Sequence, residues 1–208
     1  MSEAGNGDRR LRQWEKYAPR YDRDIGFFER HQFGGGREWV CSQAEGEVLE
    51  VAIGTGRNLP FYPDDVRLTG IDFSPAMLDI ARTRAAELGR AVRLQEADAQ
   101  ALPFPDGSFD TVVCTLGLCG VPDDWAAIGE MWRVLRPGGG LLLLDHVGSH
   151  HRLIRFGQWL LELFMVPMIG DYQTRRPLPL VERAGFVVTR QERLKAGTVE
   201  RVAAVKPG

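Results

Sequence analysis

The seven residues Glu50-Val51-Ala52-Ile53-Gly54-Thr55-Gly56 constrain this chain more than any other stretch. An apolar run over residues 48–53 breaks into a glycine turn, and Asn58 follows where a helix is predicted to begin. A run apolar on both faces suits a parallel strand covered from both sides, and glycine directly after it lets backbone approach a ligand closely. Asp72 comes 22 residues after Glu50, at the end of the next predicted strand over residues 66–72. A carboxylate there can accept both hydroxyls of a ribose. Taken singly, Gly54 and Gly56 can merely make a tight turn and Asp72 can merely cap a helix. Together they describe nucleoside binding at the switch point of a doubly wound sheet.

The rest of the chain alternates to match. The first dozen residues are expected to fray before a short helix carrying Leu11, Trp14, Ala18 and Tyr21 at near-helical spacing, which Pro19 should break. Gly34, Gly35 and Gly36 connect to a short helix over residues 37–43. Ser74 and Pro75 supply an N-cap and a first helical residue for a helix ending near Gly89. Strands follow over residues 92–98, 109–116 and 139–147, the last with four consecutive leucines that belong in the middle of a sheet, and a helix over 123–135 lies between them. Helices are read over residues 153–169 and 178–184. Residues 186–194 and 198–206, separated by Lys195-Ala196-Gly197, read as a closing antiparallel hairpin. The fold class is α/β, a doubly wound Rossmann-like sheet of seven strands. Residues 1–46 are read as an N-terminal helical cap and 47–208 as one domain with an insertion at about 148–177.

Composition narrows the function. With 26 Lys and Arg against 28 Asp and Glu, the formal charge is −2, too little cationic field for a general nucleic-acid binder. Cys41, Cys114 and Cys119 show neither zinc spacing nor a disulfide framework, and the four histidines show no ligand spacing, so a reducing, cytoplasmic setting without a metal is expected. The opening residues lack the apolar core of a signal peptide, and no run is long enough to span a bilayer.

Residues 48–56, 69–82 (TGIDFSPAMLDIAR), 96–113 (EADAQALPFPDGSFDTVV) and 131–144 (MWRVLRPGGGLLLL) resemble, in order, the motifs of class I S-adenosylmethionine-dependent methyltransferases. The resemblance implies S-adenosylmethionine as cofactor and a role for each matched residue. Glu50 would anchor the glycine loop and face the methionine end, with Ala52, Gly54, Gly56 and Asn58 around it. Asp72 would hold the ribose hydroxyls, and Phe73 and Met77 would lie beside the adenine. Asp98 would accept from the adenine amino group, and the Ala99 backbone would read the ring edge. Thr115 and Leu116 would lie near the sulfonium. Tyr17 and Tyr21 resemble aromatics that close over the cofactor, with ordinary helix packing as the alternative. Ala52 stands where the family usually has its first glycine. Arg57 occupies a position where a dinucleotide fingerprint needs a small residue.

Residues 118–123 and 144–147 resemble a branch with thiol, phospholipid and quinone methyltransferases, which implies an apolar small-molecule acceptor. The acceptor side would be built from the N-terminal segment and from residues 153–169, read as a core helix, a lid over the acceptor or a shallow membrane contact. Cys119, His150, Trp159, Phe164 and Tyr172 are the candidate acceptor contacts. Methyl transfer needs a base only if the acceptor arrives protonated. His146, Asp145 and Asp171 are the candidates, placed where such sites open. The competing readings are a nicotinamide-dependent oxidoreductase and a non-catalytic cofactor- or lipid-binding module.

Overall fold

The structure is a computed structural model that describes the backbone of residues 3–208 and, within them, all side chains except those of residues 3–6, 8, 27, 28 and 30. Two helices, α1 (Glu3–Gln32) and α2 (Gly36–Cys41), precede the sheet. Then come β1 (Glu47–Val51), β2 (Arg67–Asp72), α3 (Pro75–Glu87), β3 (Val92–Glu96), β4 (Phe109–Thr115), α4 (Asp124–Val134) and β5 (Leu135–His146). The chain closes with α5 (Arg152–Ile169), α6 (Leu178–Arg183), β6 (Val187–Leu194) and β7 (Val199–Val205).

The strand order is β3-β2-β1-β4-β5-β7-β6. The first five strands are parallel, and β7 pairs antiparallel with both β5 and β6. Order therefore reverses between β1 and β4, and the crevice beyond their C-terminal ends is the switch point where ligands bind in such sheets. The seven strands and the closing hairpin are those expected from sequence.

The four leucines show why β5 is interior. Leu141 and Leu143 pack in one core layer with Leu49, Val112, Ile128 and Met131. Leu142 and Leu144 pack in the other with Val40, Val48, Leu78 and Val113. Period-two alternation sends neighbours to opposite faces, and each buried leucine contributes about 1.5 to 3 kcal/mol. Local signals fix the helix starts: Ser74 Oγ accepts from Met77 N at 3.3 Å, and Asp123 Oδ1 accepts from Ala126 N at 2.9 Å.

Three expectations need correction. The helix predicted after Gly56 is only a 3-10 turn, Leu59–Phe61, because Pro63, just beyond it, has no N–H to continue the ladder. The fifth strand begins at Leu135, ahead of the expected residue 139. Residues 1 and 2 of the stretch expected to fray lie outside the described residues; from Glu3 on the chain does not restart at Pro19, and α1 runs through it as one helix of 30 residues.

What holds α1 across Pro19 is a row of carboxylates. Glu15, Asp22 and Glu29 recur every seven residues, which keeps them on one stripe with a drift of about 20° per repeat. Glu15 Oε1 accepts from Ser74 Oγ at 2.9 Å and from Ala76 N at 3.0 Å. Asp22 accepts from Thr55 Oγ1 at 2.6 Å and pairs with Arg84. Glu29 accepts from Arg57 Nε at 2.9 Å and Arg37 Nε at 2.7 Å. Bonds on both sides of Pro19 offset the roughly 3 kcal/mol that a mid-helix proline costs.

Candidate active site

A cavity of about 540 Å³ lies between the C-terminal ends of the parallel strands, α1 and α5. Of the residues expected to meet the cofactor, Tyr17, Tyr21, Ala52, Gly54, Asp72, Phe73, Met77, Asp98, Ala99 and Leu116 line it. Glu50, Gly56, Asn58 and Thr115 do not; they lie behind the wall. Asn58 Nδ2 donates to Glu50 Oε1 and to Thr115 Oγ1, both at 2.8 Å, and Tyr62 OH donates to Glu50 Oε2 at 2.9 Å. Arg37 Nη1 completes this buried network by donating to Asn58 Oδ1 at 2.7 Å and Thr115 Oγ1 at 2.9 Å. Burial lifts the Glu50 carboxyl to about 7, against the bonds from Tyr62 and Asn58 and the charge of Arg37. Glu50 thus ties the end of β1 to Asn58 and Tyr62, just beyond the glycine turn, and does not line the cavity as a residue facing the methionine end would.

Asp72 closes the end of β2. Its Oδ2 accepts from Gly54 N at 2.8 Å and its Oδ1 from Ser74 N at 3.0 Å, so one carboxylate joins the glycine loop to the start of α3. Burial pushes it up to about 6, and the backbone N–H bonds oppose that. Each carboxylate oxygen keeps acceptor capacity beyond those bonds. The loop backbone is under tension here. Ala52 and Leu116, side by side on the cavity floor, hold φ of 57° and 53°, in the left-handed region that favours glycine. The sheet holds them there: Ile53 N donates to Ile71 O at 2.9 Å and Leu116 N to Leu144 O at 2.7 Å. At Gly54, φ 56°, an added methyl would meet nothing within 4 Å, so backbone opens directly onto the cavity. This bare backbone, the buried carboxylate and a cavity within the usual range for small ligands fit a nucleoside-bearing cofactor.

The other end of the cavity gathers Cys119, His146 and Asp171, with donor atoms all within 4.8 Å of one another. They come from the turn after β4, the end of β5 and the loop after α5, and no sequence spacing announces them as a group. His146 Nε2 lies 3.0 Å from Asp171 Oδ1, and His146 Nδ1 is buried with no partner among the described residues. Burial pulls the imidazole down, but the adjacent Asp171 carboxylate and the Asp145 charge outweigh it and raise His146 to about 8. Asp145, buried behind the cavity, accepts from Cys119 N at 3.2 Å and His146 N at 2.9 Å. Burial and the two carboxylates push the Cys119 thiol well up, so it stays a thiol and lines the pocket rather than attacking.

Among the expected acceptor contacts, only Cys119 lines the cavity. Trp159 and Phe164 lie on the wrong side of α5: at 100° per residue, Gln158, Leu161, Met165 and Ile169 share the cavity face and the two aromatics fall away from it. Phe164 is 69% exposed. The core-helix reading of α5 is likewise overturned, since none of its side chains is buried. His150 packs against His151 with ring centroids 4.2 Å apart and the planes tilted by 44°, outside the cavity. The Tyr172 ring lies under the Arg175 guanidinium at 3.6 Å, while its N donates to Cys119 O at 2.9 Å.

Sequence reasoning missed Trp14 and Arg10, which line the cavity from α1. Trp14 Nε1 also donates to Ile169 O at 3.1 Å, joining α1 to α5. The heptad of acidic residues was the available signal that α1 has a partner along its length.

A family model described as a methyltransferase domain matches residues 48–139. The chain is 31% identical over 178 residues to the ubiquinone/menaquinone biosynthesis C-methyltransferase UbiE of Geotalea daltonii, covering 79% of this chain and 74% of that protein. It is 45% identical over 103 residues to a phosphatidylethanolamine N-methyltransferase of Cereibacter sphaeroides, covering 49% of this chain and 51% of that one. Against several such relatives the chain spans only about half their length. A solved SAM-dependent methyltransferase of Thermotoga maritima shares the fold, with a TM-score of 0.69 at 23% identity over 94% of this chain and 99% of that one. A glycine turn and acidic strand end at the switch point, on a sheet closed by an antiparallel hairpin, and matched over three quarters of a relative's length, lead to one assignment: the chain belongs to the class I S-adenosylmethionine-dependent methyltransferases.

Proposed function

We propose that this protein transfers a methyl group from S-adenosylmethionine to a small, largely apolar acceptor. The observation that carries this reading is the two-ended cavity, with Asp72 and the glycine loop at one end and His146, Asp171 and the apolar face of α5 at the other. When bound, S-adenosylmethionine supplies an electrophilic methyl on a sulfonium, whose departing thioether needs no covalent help. Asp72 would hold the ribose hydroxyls, Asp98 and the Ala99 backbone would meet the adenine, and Phe73 and Met77 would flank it. Leu161, Met165 and Ile169 would exclude water and align the acceptor, which is most of what this reaction asks of a protein.

Where the acceptor carries a proton, neutral His146 takes it, and Asp171 orients the ring and stabilises the imidazolium that forms. Relatives named for quinone and phosphatidylethanolamine methylation support an apolar acceptor. The test is incubation with methyl-deuterated S-adenosylmethionine and a panel of thiols, phenols, quinols, amines and lipids, read by mass spectrometry. A deuteromethyl adduct on an apolar member is expected. Failure to bind S-adenosylmethionine, or labelling confined to hydrophilic acceptors, would overturn the proposal.

A further inference from the structure

We infer that the outward face of α5 docks on an anionic lipid surface. Helix α5 has two apolar faces. One lines the cavity; the other carries Leu153, Phe156, Trp159, Leu160, Leu163 and Phe164, all exposed, with Leu153 at 88%. Phe156 and Trp159 stack with centroids 5.8 Å apart, which makes one continuous aromatic surface. Contiguous apolar exposure of this kind marks a contact surface.

Charge selects the occupant. Arg152 and Arg155 stand in the first turn of α5, exposed and without an ion-pair partner among the described residues. Cations at a helix N-terminus oppose the helix dipole, so these two do nothing for the helix itself. The one acidic residue of α5, Glu162, is engaged by Thr174, whose N and Oγ1 both donate to Glu162 Oε2 at 2.7 Å. The outer face is therefore apolar with a cationic edge and no free carboxylate, the pattern of a helix lying in the plane of a membrane interface. No helix among the described residues is long and apolar enough to cross a membrane. The inference rests on the proposed apolar acceptor, because docking this face would set the acceptor end of the cavity beside the medium in which such a molecule dissolves.

The test is flotation of the full chain with phosphatidylcholine vesicles, with and without phosphatidylglycerol. Binding to the anionic vesicles is expected, at least about tenfold tighter than to phosphatidylcholine alone, since each surface arginine contributes roughly a factor of five. Arg152→Glu with Arg155→Glu should remove that preference. Phe156→Asp with Leu163→Asp should abolish binding while the melting temperature holds, because both side chains are exposed. Tryptophan emission should shift blue on binding in the parent but not in Trp159→Phe. Absence of vesicle binding by the parent, undiminished binding by the aspartate variant, or light scattering that shows a stable dimer covering Trp159 would each overturn the inference. Calorimetry with S-adenosylmethionine and turnover of a water-soluble acceptor separate this from the proposed function: both survive if only the docking is wrong, and both fail with vesicle binding intact if only the chemistry is wrong.

Discussion

Arg57 Nε donates to Glu29 Oε2 at 2.9 Å, and this pair fastens the cofactor loop to the helix that covers it. The side chain that breaks a dinucleotide fingerprint is thus used to hold α1. Glu29→Gln should loosen that fastening by about 1 to 2 kcal/mol, the usual worth of a partly buried charge-assisted bond. Hydrogen exchange should quicken along α1 while the sheet is unchanged, and affinity for S-adenosylmethionine should fall about tenfold.

Asp72→Asn keeps the shape of the carboxylate but leaves one oxygen to serve the two backbone donors, Gly54 N and Ser74 N, and the ribose. Cofactor affinity should drop about a hundredfold, and stability by about 1 to 3 kcal/mol. Titration calorimetry and thermal unfolding check the two effects. Unchanged affinity would remove Asp72 from the cofactor site.

With His146 raised to about 8, the imidazole is mostly protonated at neutral pH, and its basic form grows in as pH rises. For an acceptor that must lose a proton, kcat/KM should climb with pH through a midpoint near 8 and level off above it. Asp171→Asn removes the partner that raises the imidazole, so the rising limb should move to lower pH while maximal turnover falls. A limb that stays in place would show that another group takes the proton.

Met165→Ala trims the cavity face of α5 without opening the sheet core. It should raise the acceptor KM about tenfold, from the contact area lost, and leave cofactor affinity and melting temperature near those of the parent. Leu163→Ala, on the outward face, should leave the KM of a water-soluble acceptor unchanged. Steady-state kinetics on both variants decide whether helical phase sorts the two faces.

The sheet was legible because its signals are local. Alternation of Leu141 through Leu144, the Ser74-Pro75 start and the Asp72 strand end each depend on neighbours a few residues away. The roof was not. Pro19 reads as a break because propensity takes no account of Ser74, Thr55 and Arg84, which reach α1 from far along the chain. Residue type alone marks Trp159 and Phe164 as pocket aromatics, yet helix phase turns them out, and phase relative to a cavity is known only once both ends of α5 are placed. His146 and Asp171 each read as base candidates from their places in or after the fifth strand, but their pairing and their closeness to Cys119 depend on three separate segments meeting.

The strained floor at Ala52 and Leu116 has an evolutionary consequence. Two non-glycine residues held with positive φ by sheet hydrogen bonds make a surface that cannot adjust to a ligand of another shape. Any change of acceptor must then come from the helical covering, whose sequence can drift while the floor stays put. Grafting α5 from one relative onto the sheet of another should therefore exchange acceptor preference and carry the same methyl donor along unaltered.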